Sequence, residues 1–333
     1  MKSGIGIIGL GGIASTAHAP AIATIPEAWL AAVLSRNNIK GQEFLAKHNA
    51  LQGTAYDSLE SFVADPNINL VIVCSPDGLH FEQAAACLNA GKHVLLEKPM
   101  TLKIEEAEEL VNLAESKNLT LAIGFHLRSH NGLRLLHERV IAQREIGDIR
   151  HIRAIWAFPQ QDDTNWRAKN EMAKWWSLSA VGSHCLDLAR WFAGDEADWA
   201  QFTATTTNNL WGGSHDETAI VAAELESGIT VEIVSSVQFG AYNRLELFGS
   251  QGIVLCDDVM GREGGGKVQI NDQYLEFEIL NPYREQLNNV LECIETGRAP
   301  RATGTVGVRN VKDLVLAGAS LREYKNRPHE SKL

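Results

Sequence analysis

Short apolar runs separated by amphipathic stretches organise residues 1–124. Ile5-Gly6-Ile7-Ile8 and residues 29–34 read as strands, and helical spacing follows over 40–48 and, after a further strand, over 58–64. Leu70-Val71-Ile72-Val73-Cys74 is a strongly apolar strand. It is followed by a helix over 81–90, the strand His93–Leu96, a helix over Ile104–Ser116 and a strand over 119–124. Strands alternating with helices predict a parallel sheet covered on both faces. From Phe125 the pattern changes. One helical stretch, 133–144, leads into runs of β-branched and aromatic residues at 149–158, 201–207, 218–226, 229–236, 244–249, 268–270 and 274–279. Strands that succeed one another through turns as short as Glu226-Ser227-Gly228 predict a mostly antiparallel sheet. The chain therefore reads as an α/β domain over 1–124 and an α+β domain over 125–333.

The first strand runs into Gly9-Leu10-Gly11-Gly12-Ile13-Ala14, a G-x-G-x-x-A turn that opens a helix. The first glycine permits the tight turn, the second lets backbone amides approach a pyrophosphate, and the small Ala14 allows close packing of helix on strand. Pro20 predicts that this helix is short or kinked. The second strand ends in Ser35-Arg36-Asn37, where a carboxylate would bond a ribose 2′-hydroxyl. Ser35 and the Arg36 guanidinium, with Lys40 as helper, suit a 2′-phosphate instead, so NADP is expected over NAD. A solvated loop role for Arg36 is the alternative. His93-Val94-Leu95-Leu96 meets Glu97-Lys98-Pro99 at its carboxyl end, where open α/β sheets gather their ligands. Phe125-His126-Leu127-Arg128 follows the next strand, where a substrate pocket would open, so Phe125, His126 and Arg128 are candidate substrate contacts.

Composition narrows the function classes. The 41 acidic and 30 basic residues give a formal charge of -11, which opposes nucleic acid and anionic membranes as partners. Five cysteines without a C-x-x-C pair argue for a reduced, cytoplasmic setting. The first apolar run is too short for a signal peptide, and no segment approaches the roughly 20 apolar residues of a membrane span. His130, His137 and His151 form no convincing metal constellation, so no metal is expected.

The glycine turn, Ser75-Pro76-Asp77-Gly78-Leu79-His80, Gly91-Lys92-His93-Val94-Leu95-Leu96-Glu97-Lys98-Pro99 and Gly182-Ser183-His184-Cys185-Leu186-Asp187 together resemble the glucose-fructose oxidoreductase / inositol dehydrogenase / MocA family. Phe248-Gly249-Ser250-Gln251-Gly252 and Glu295-Thr296-Gly297-Arg298-Ala299-Pro300 extend the likeness over nearly the whole chain. The resemblance implies a Rossmann dinucleotide-binding domain followed by a large, open, mostly antiparallel sheet. One face of that sheet would cover the nicotinamide and the other would meet a partner in a homodimer or homotetramer. It places Lys98 beside the nicotinamide and the carbon that exchanges hydride, with Glu97 orienting the turn and a cis Lys98-Pro99 bond. Ser75, Pro76 and His80 would line the cofactor's path.

In many relatives the helix over 179–191 carries D-x-x-x-H; here His184 stands beside Ala180. Lys98 and His184 suffice in the preferred reading. Otherwise Asp187, Asp162 or Asp163 supplies a carboxylate, or the dehydrogenase chemistry is lost. Arg167 of Trp166-Arg167 would reach the nicotinamide end or a substrate oxygen. Trp166, Trp175 and Asp187 are further substrate-side candidates, and for Trp175 and its neighbour Trp176 core packing is an equal alternative. The resulting expectation is an NADP-dependent oxidoreductase acting on a sugar, polyol or related small molecule. A non-catalytic dinucleotide-binding regulator and a dinucleotide-dependent glycosidase are the alternatives.

Overall fold

The computed structural model describes residues 2–169 and 171–325. The first unit is built on β1 (Ser3–Ile8), β2 (Ala28–Leu34), β3 (Thr54–Tyr56), β4 (Leu70–Val73), β5 (His93–Leu96) and β6 (Leu121–Ile123). These pair in parallel in the order β3-β2-β1-β4-β5-β6. Ile5, Ile7, Leu70, Ile72 and Leu95 share one buried core, which is why the strands read as near-continuous apolar runs. The direction of strand order reverses between β1 and β4, the place where doubly wound sheets open a crevice at their carboxyl ends.

A π-helical turn, Ala14–His18, passes into α1 (Ala19–Ala23). Pro20 follows that π-helical turn inside a helix that is continuous from Gly12 to Ala23, and its missing amide proton leaves one rung of the intrahelical ladder unmade there. Next come α2 (Asn38–Lys47) and α3 (Leu59–Val63), capped by the side chains of Asn37 and Ser58, then α4 (His80–Asn89) and α5 (Ile104–Ser116).

The second unit opens with α6 (Asn131–His137), which ends in a π-helical turn over Glu138–Ala142, and includes α7 (Trp166–Lys169) and α8 (Ser183–Ala193). Its strands are β7 (Ile149–Ala157), β8 (Trp199–Thr207), β9 (Thr218–Leu225), β10 (Thr230–Ser236), β11 (Tyr242–Gly249), β12 (Ile253–Asp257), β13 (Lys267–Ile270) and β14 (Gln273–Tyr274). The order is β14-β13-β12-β11-β7-β10-β9-β8, with β7 and β10 parallel and the other pairs antiparallel. Two expectations are corrected. The strand expected over 274–279 is the two-residue β14, because after Leu275 the alternation of apolar side chains serves docking, with Phe277 filling the space left by Gly132, and not a ladder. β12 was not anticipated, although Val254 and Cys256 alternate inward from it.

The chain then returns. α9 (Pro282–Thr296) is capped by Asn281 and closed by Gly297 in the left-handed region; α10 (Gly304–Lys325) follows. Leu287 and Val290 of α9 pack in the core that holds Ile5 and Ile72. The sequence reading draws one boundary after Gly124. By contacts the chain divides into two compact units, Met1–Asn131 with Arg262–Gly264 and Ile279–Val311, and Gly132–Gly261 with Gly265–Glu278 and Lys312–Leu333. All five cysteines are free and buried. Among the described residues no helix is long and apolar enough to cross a membrane, and no group of three or more His, Cys, Asp or Glu side chains is arranged to hold a metal ion.

Candidate functional site

The glycine turn sits where β1 meets the chain leaving β4. Gly9 has φ +87°, and a Cβ there would lie 2.5 Å from the Ser75 nitrogen, so only glycine fits. At Gly11 and Gly12 a Cβ would meet nothing within 4 Å. The turn is thus open above its second and third glycines, while Ala14 is buried below. The first turn of a helix also leaves its amide protons without intrahelical acceptors. Open space facing those amides fits the pyrophosphate of a dinucleotide, with Leu10 and Ile13 flanking. Ser15 accepts from Lys47 Nζ at 2.7 Å, and Arg262 reaches Thr16 Oγ1 at 3.1 Å. At the end of β2, Ser35 is half-buried and Arg36 exposed, while Asn37 is occupied in capping α2.

The turn after β5 carries a buried polar cluster. Glu97 is buried, its Oε1 2.8 Å from His18 Nε2 and its Oε2 accepting from the Lys98 amide at 3.2 Å. Gly124, just past β6, leaves the carboxylate its room: a Cβ there would sit 2.9 Å from Glu97 Cδ. Lys98 is 9% exposed, and its bond to Pro99 is cis. Burial pushes the Glu97 carboxyl up, but the hydrogen bond and charge of His18, then the charge of Lys98, outweigh burial and hold it down at about 2. His126 stacks on Tyr283 of α9 with ring centroids 4.4 Å apart, and His18 meets the same ring edge-on at 5.3 Å. Burial, opposed by Glu97 and assisted by the positive charges of Lys98 and Arg262, lowers His126 to about 3. At neutral pH the cluster therefore holds an anionic Glu97 and a neutral His126. An amine beside a buried carboxylate at a strand's carboxyl end can accept and return a proton.

His80 is buried, its Nδ1 2.8 Å from the Pro99 carbonyl and its Nε2 2.9 Å from the Ser75 carbonyl. It clamps the turn after β4, including Pro76, to the turn that carries Lys98. Ser75 Oγ in turn donates to Gln83 at 2.6 Å. Phe125 and Arg128 are buried, with an Arg128 nitrogen 3.4 Å from the Arg301 carbonyl.

In the second unit His184 and Asp187 lie buried on α8, with the His184 ring 5.3 Å from that of Trp156. The approach to α8 is fixed by Asp216. Its carboxylate accepts from the Trp176 amide at 2.9 Å, the Ser177 hydroxyl at 2.6 Å and the Leu178 amide at 2.8 Å. Burial raises the Asp216 pKa against these hydrogen bonds. Gly182 lets the helix start approach β10, since a Cβ there would come 2.9 Å from Ser235 Oγ. Ala180 lies in the π-helical turn over Leu178–Gly182 that precedes α8. Arg167 stacks on Trp166 at 4.2 Å and donates to Ser179 at 3.1 Å. Trp175 is buried against Gly318.

The sequence reading missed His18, Tyr283, Gly124 and Asp216. A signal for His18 exists: Ala14, Ala17, His18 and Ala21 recur at i, i+3, i+4 and i+7 and are buried, so an imidazole interrupts an otherwise small, apolar stripe.

Residues 3–125 match the model of an oxidoreductase family with an NAD-binding Rossmann fold, named GFO_IDH_MocA, and 136–255 match that family's C-terminal domain. An uncharacterized oxidoreductase of Synechocystis sp. is 30% identical over 270 residues, covering 76% of this chain and 71% of that one. Myo-inositol 2-dehydrogenase of Thermotoga maritima is 26% identical over 91% of both chains. The fold matches that of an aldose-aldose oxidoreductase from Caulobacter crescentus, crystallised with glycerol, at a TM-score of 0.87 and 24% identity over 97% of this chain and 98% of that one. With both of its domains matched and the glycine turn open to a pyrophosphate, the chain belongs to the Gfo/Idh/MocA family of dinucleotide-dependent oxidoreductases.

Proposed function

We propose that this oxidoreductase uses NADP to exchange hydride with a carbon bearing a hydroxyl or carbonyl group in a sugar, polyol or related compound, and that Lys98 and His184 handle the proton. The nicotinamide, when bound, supplies the hydride acceptor or donor. Gly9–Ala14 would hold the pyrophosphate, and Ser35 and Arg36 the adenosine-side phosphate, since no carboxylate stands among Ser35-Arg36-Asn37 to repel it. Arg167 and Trp166 would lie toward the nicotinamide end, with Trp175, His126 and Asp187 on the substrate side.

The observation that carries this reading is Lys98: a buried amine at the carboxyl end of β5, beside a carboxylate held ionised. As hydride leaves the alcohol carbon its hydroxyl proton must leave too. The Lys98 amine takes it, while His184 bonds the same oxygen. The named activities of the relatives, on inositol and on aldoses, support the substrate class. The broad sheet of the second unit, with Ile220 exposed on it, supports a homodimer or homotetramer, to be checked by light scattering.

Lys98→Met should lower turnover of a polyol and aldose panel with NADP by about 10²- to 10⁴-fold while dinucleotide binding persists. Full turnover in the variant would discard the role of Lys98. A second reading, a regulator that binds the dinucleotide without turning over, draws on Ala180; wild-type protein that binds NADP tightly yet reduces none of it would favour it.

A further inference from the structure

We propose that His18 is a positioning residue which, from the helix behind the dinucleotide turn, uses Glu97 to set both the aim of Lys98 and the negative charge next to it in the chain. The inference deepens the functional reading above and rests on its assignment of Lys98. It starts from how Glu97 is held. One carboxylate oxygen meets His18 at 2.8 Å, the other takes the Lys98 amide at 3.2 Å, and Gly124 supplies the missing Cβ that lets the group lie there. A buried carboxylate stripped of these partners would take up a proton instead of remaining an anion. His18 is itself held by the edge of Tyr283 and by the small side chains of its own helical stripe, Ala14, Ala17 and Ala21. The chain segment that begins at the glycine turn thus ends, four residues after Ala14, in a contact with the residue preceding Lys98.

Cys74, Tyr283 and His126, which also surround Glu97, add no negative charge of their own. Cys74, at the end of β4, is kept a neutral thiol by burial and by Glu97. Tyr283, from α9, is kept a neutral phenol by burial. His126, after β6, is held neutral, and Arg262 and His130 contribute positive charge toward it. None of these three groups can replace the charge of Glu97. An opposite charge within a few ångströms moves a titration by about 1–3 units, so neutralising Glu97 must weaken the hold of Lys98 on its proton.

The test reads Lys98 directly in protein without dinucleotide or substrate. In protein labelled with ¹⁵N-lysine the Nζ signal of Lys98 is assigned by its loss in Lys98→Met and followed against pH. Glu97→Gln should titrate lower than wild type by about one unit or more. His18→Ala should move in the same direction by less, because Glu97 then loses a hydrogen bond but keeps the Lys98 amide. His18→Gln, which can still offer an N–H to Oε1, should restore most of the shift. NADPH affinity, measured by fluorescence, should stay within about threefold of wild type in the two His18 variants, since the glycine turn is untouched.

A Lys98 titration unmoved by Glu97→Gln would overturn the proposal, as would a His18→Gln shift equal to that of His18→Ala. Should His18→Ala fail to fold, the near-isosteric Glu97→Gln and the conservative His18→Gln decide alone. Because no substrate enters the measurement, a protein inactive on every polyol and aldose would refute the functional reading and leave this result standing.

Discussion

Replacing His126 by Phe should flatten the acid limb of the first unit's stability. The imidazole is held at about 3 against its ordinary 6.5. Above pH 6.5 neither the folded nor the unfolded form binds the proton, and the full stability is present. As pH falls from 6.5 toward 3, the unfolded chain takes a proton that the buried ring refuses, so stability is lost at up to about 1.4 kcal/mol per pH unit. At pH 5 the loss is about 2 kcal/mol, and at pH 3 about 4 kcal/mol. Glu97 acts in a lower window. Its carboxyl, depressed from 4.5 to about 2, contributes stability that is present above 4.5 and lost only as pH falls through 2. The interval from 6.5 to 4.5 thus separates His126 from Glu97, and comparison of wild type with His126→Phe cancels the contributions of His48 and His93, which burial also lowers. Phenylalanine keeps the ring that stacks on Tyr283 at 4.4 Å but has nothing to titrate. Hydrogen exchange on peptides covering β5 and β6, corrected for intrinsic rates, reports the opening of this unit by itself. Wild type should lose about 2 kcal/mol more than His126→Phe between pH 6.5 and 5. Parallel losses in the two proteins would refute a neutral, desolvated His126.

Gly11→Val should abolish NADPH binding, read by fluorescence, with a melting temperature close to wild type, because its side chain enters open space. Gly9→Ala should instead destabilise the fold by about 1–3 kcal/mol in urea titrations, since a φ of +87° and a 2.5 Å approach to Ser75 are both strained. In the second unit Arg190 grips Asp313 through two bonds of 2.5 and 2.7 Å, and the carboxylate also accepts from Trp199 at 2.6 Å. Arg190→Met should cost about 3–5 kcal/mol in denaturant, by stranding a buried charge.

How much of this was legible depended on whether a feature repeats along the chain. β5 and α5 lie at the bounds their patterns predict, because one is apolar on both faces and the other alternates apolar and acidic residues over three turns. Lys98 stands out because an amine at the end of such a strand has no structural reason to be there. The second sheet was legible as a sheet, through alternation, but not strand by strand. β12 was passed over after Gly249, and the Leu275, Phe277 and Ile279 alternation imitates a ladder. α9 announced itself through Asn281-Pro282 at one end and Gly297 at the other, signals of helix start and stop that were not read together.

The polar cluster was hidden for a different reason. Its members come from the glycine-turn helix, the end of β5, the end of β6 and a helix that rejoins the unit some 150 residues later, so no window of sequence contains two of the partnerships that matter. His18 reads as one histidine among alanines, and Tyr283 as one aromatic after a cap. Only packing turns them into the surroundings of Glu97. Once they are placed, the electrostatics follow with little freedom: burial makes an ionised carboxylate costly, the histidine at 2.8 Å and the lysine next in sequence make it affordable, and the same burial keeps His126 from joining as a cation. A motif can therefore name Glu97 and Lys98 while a partner that keeps the carboxylate ionised, His18, lies outside that motif, which is why substitution at His18 tests the cluster in a way that substitution of Lys98 itself does not.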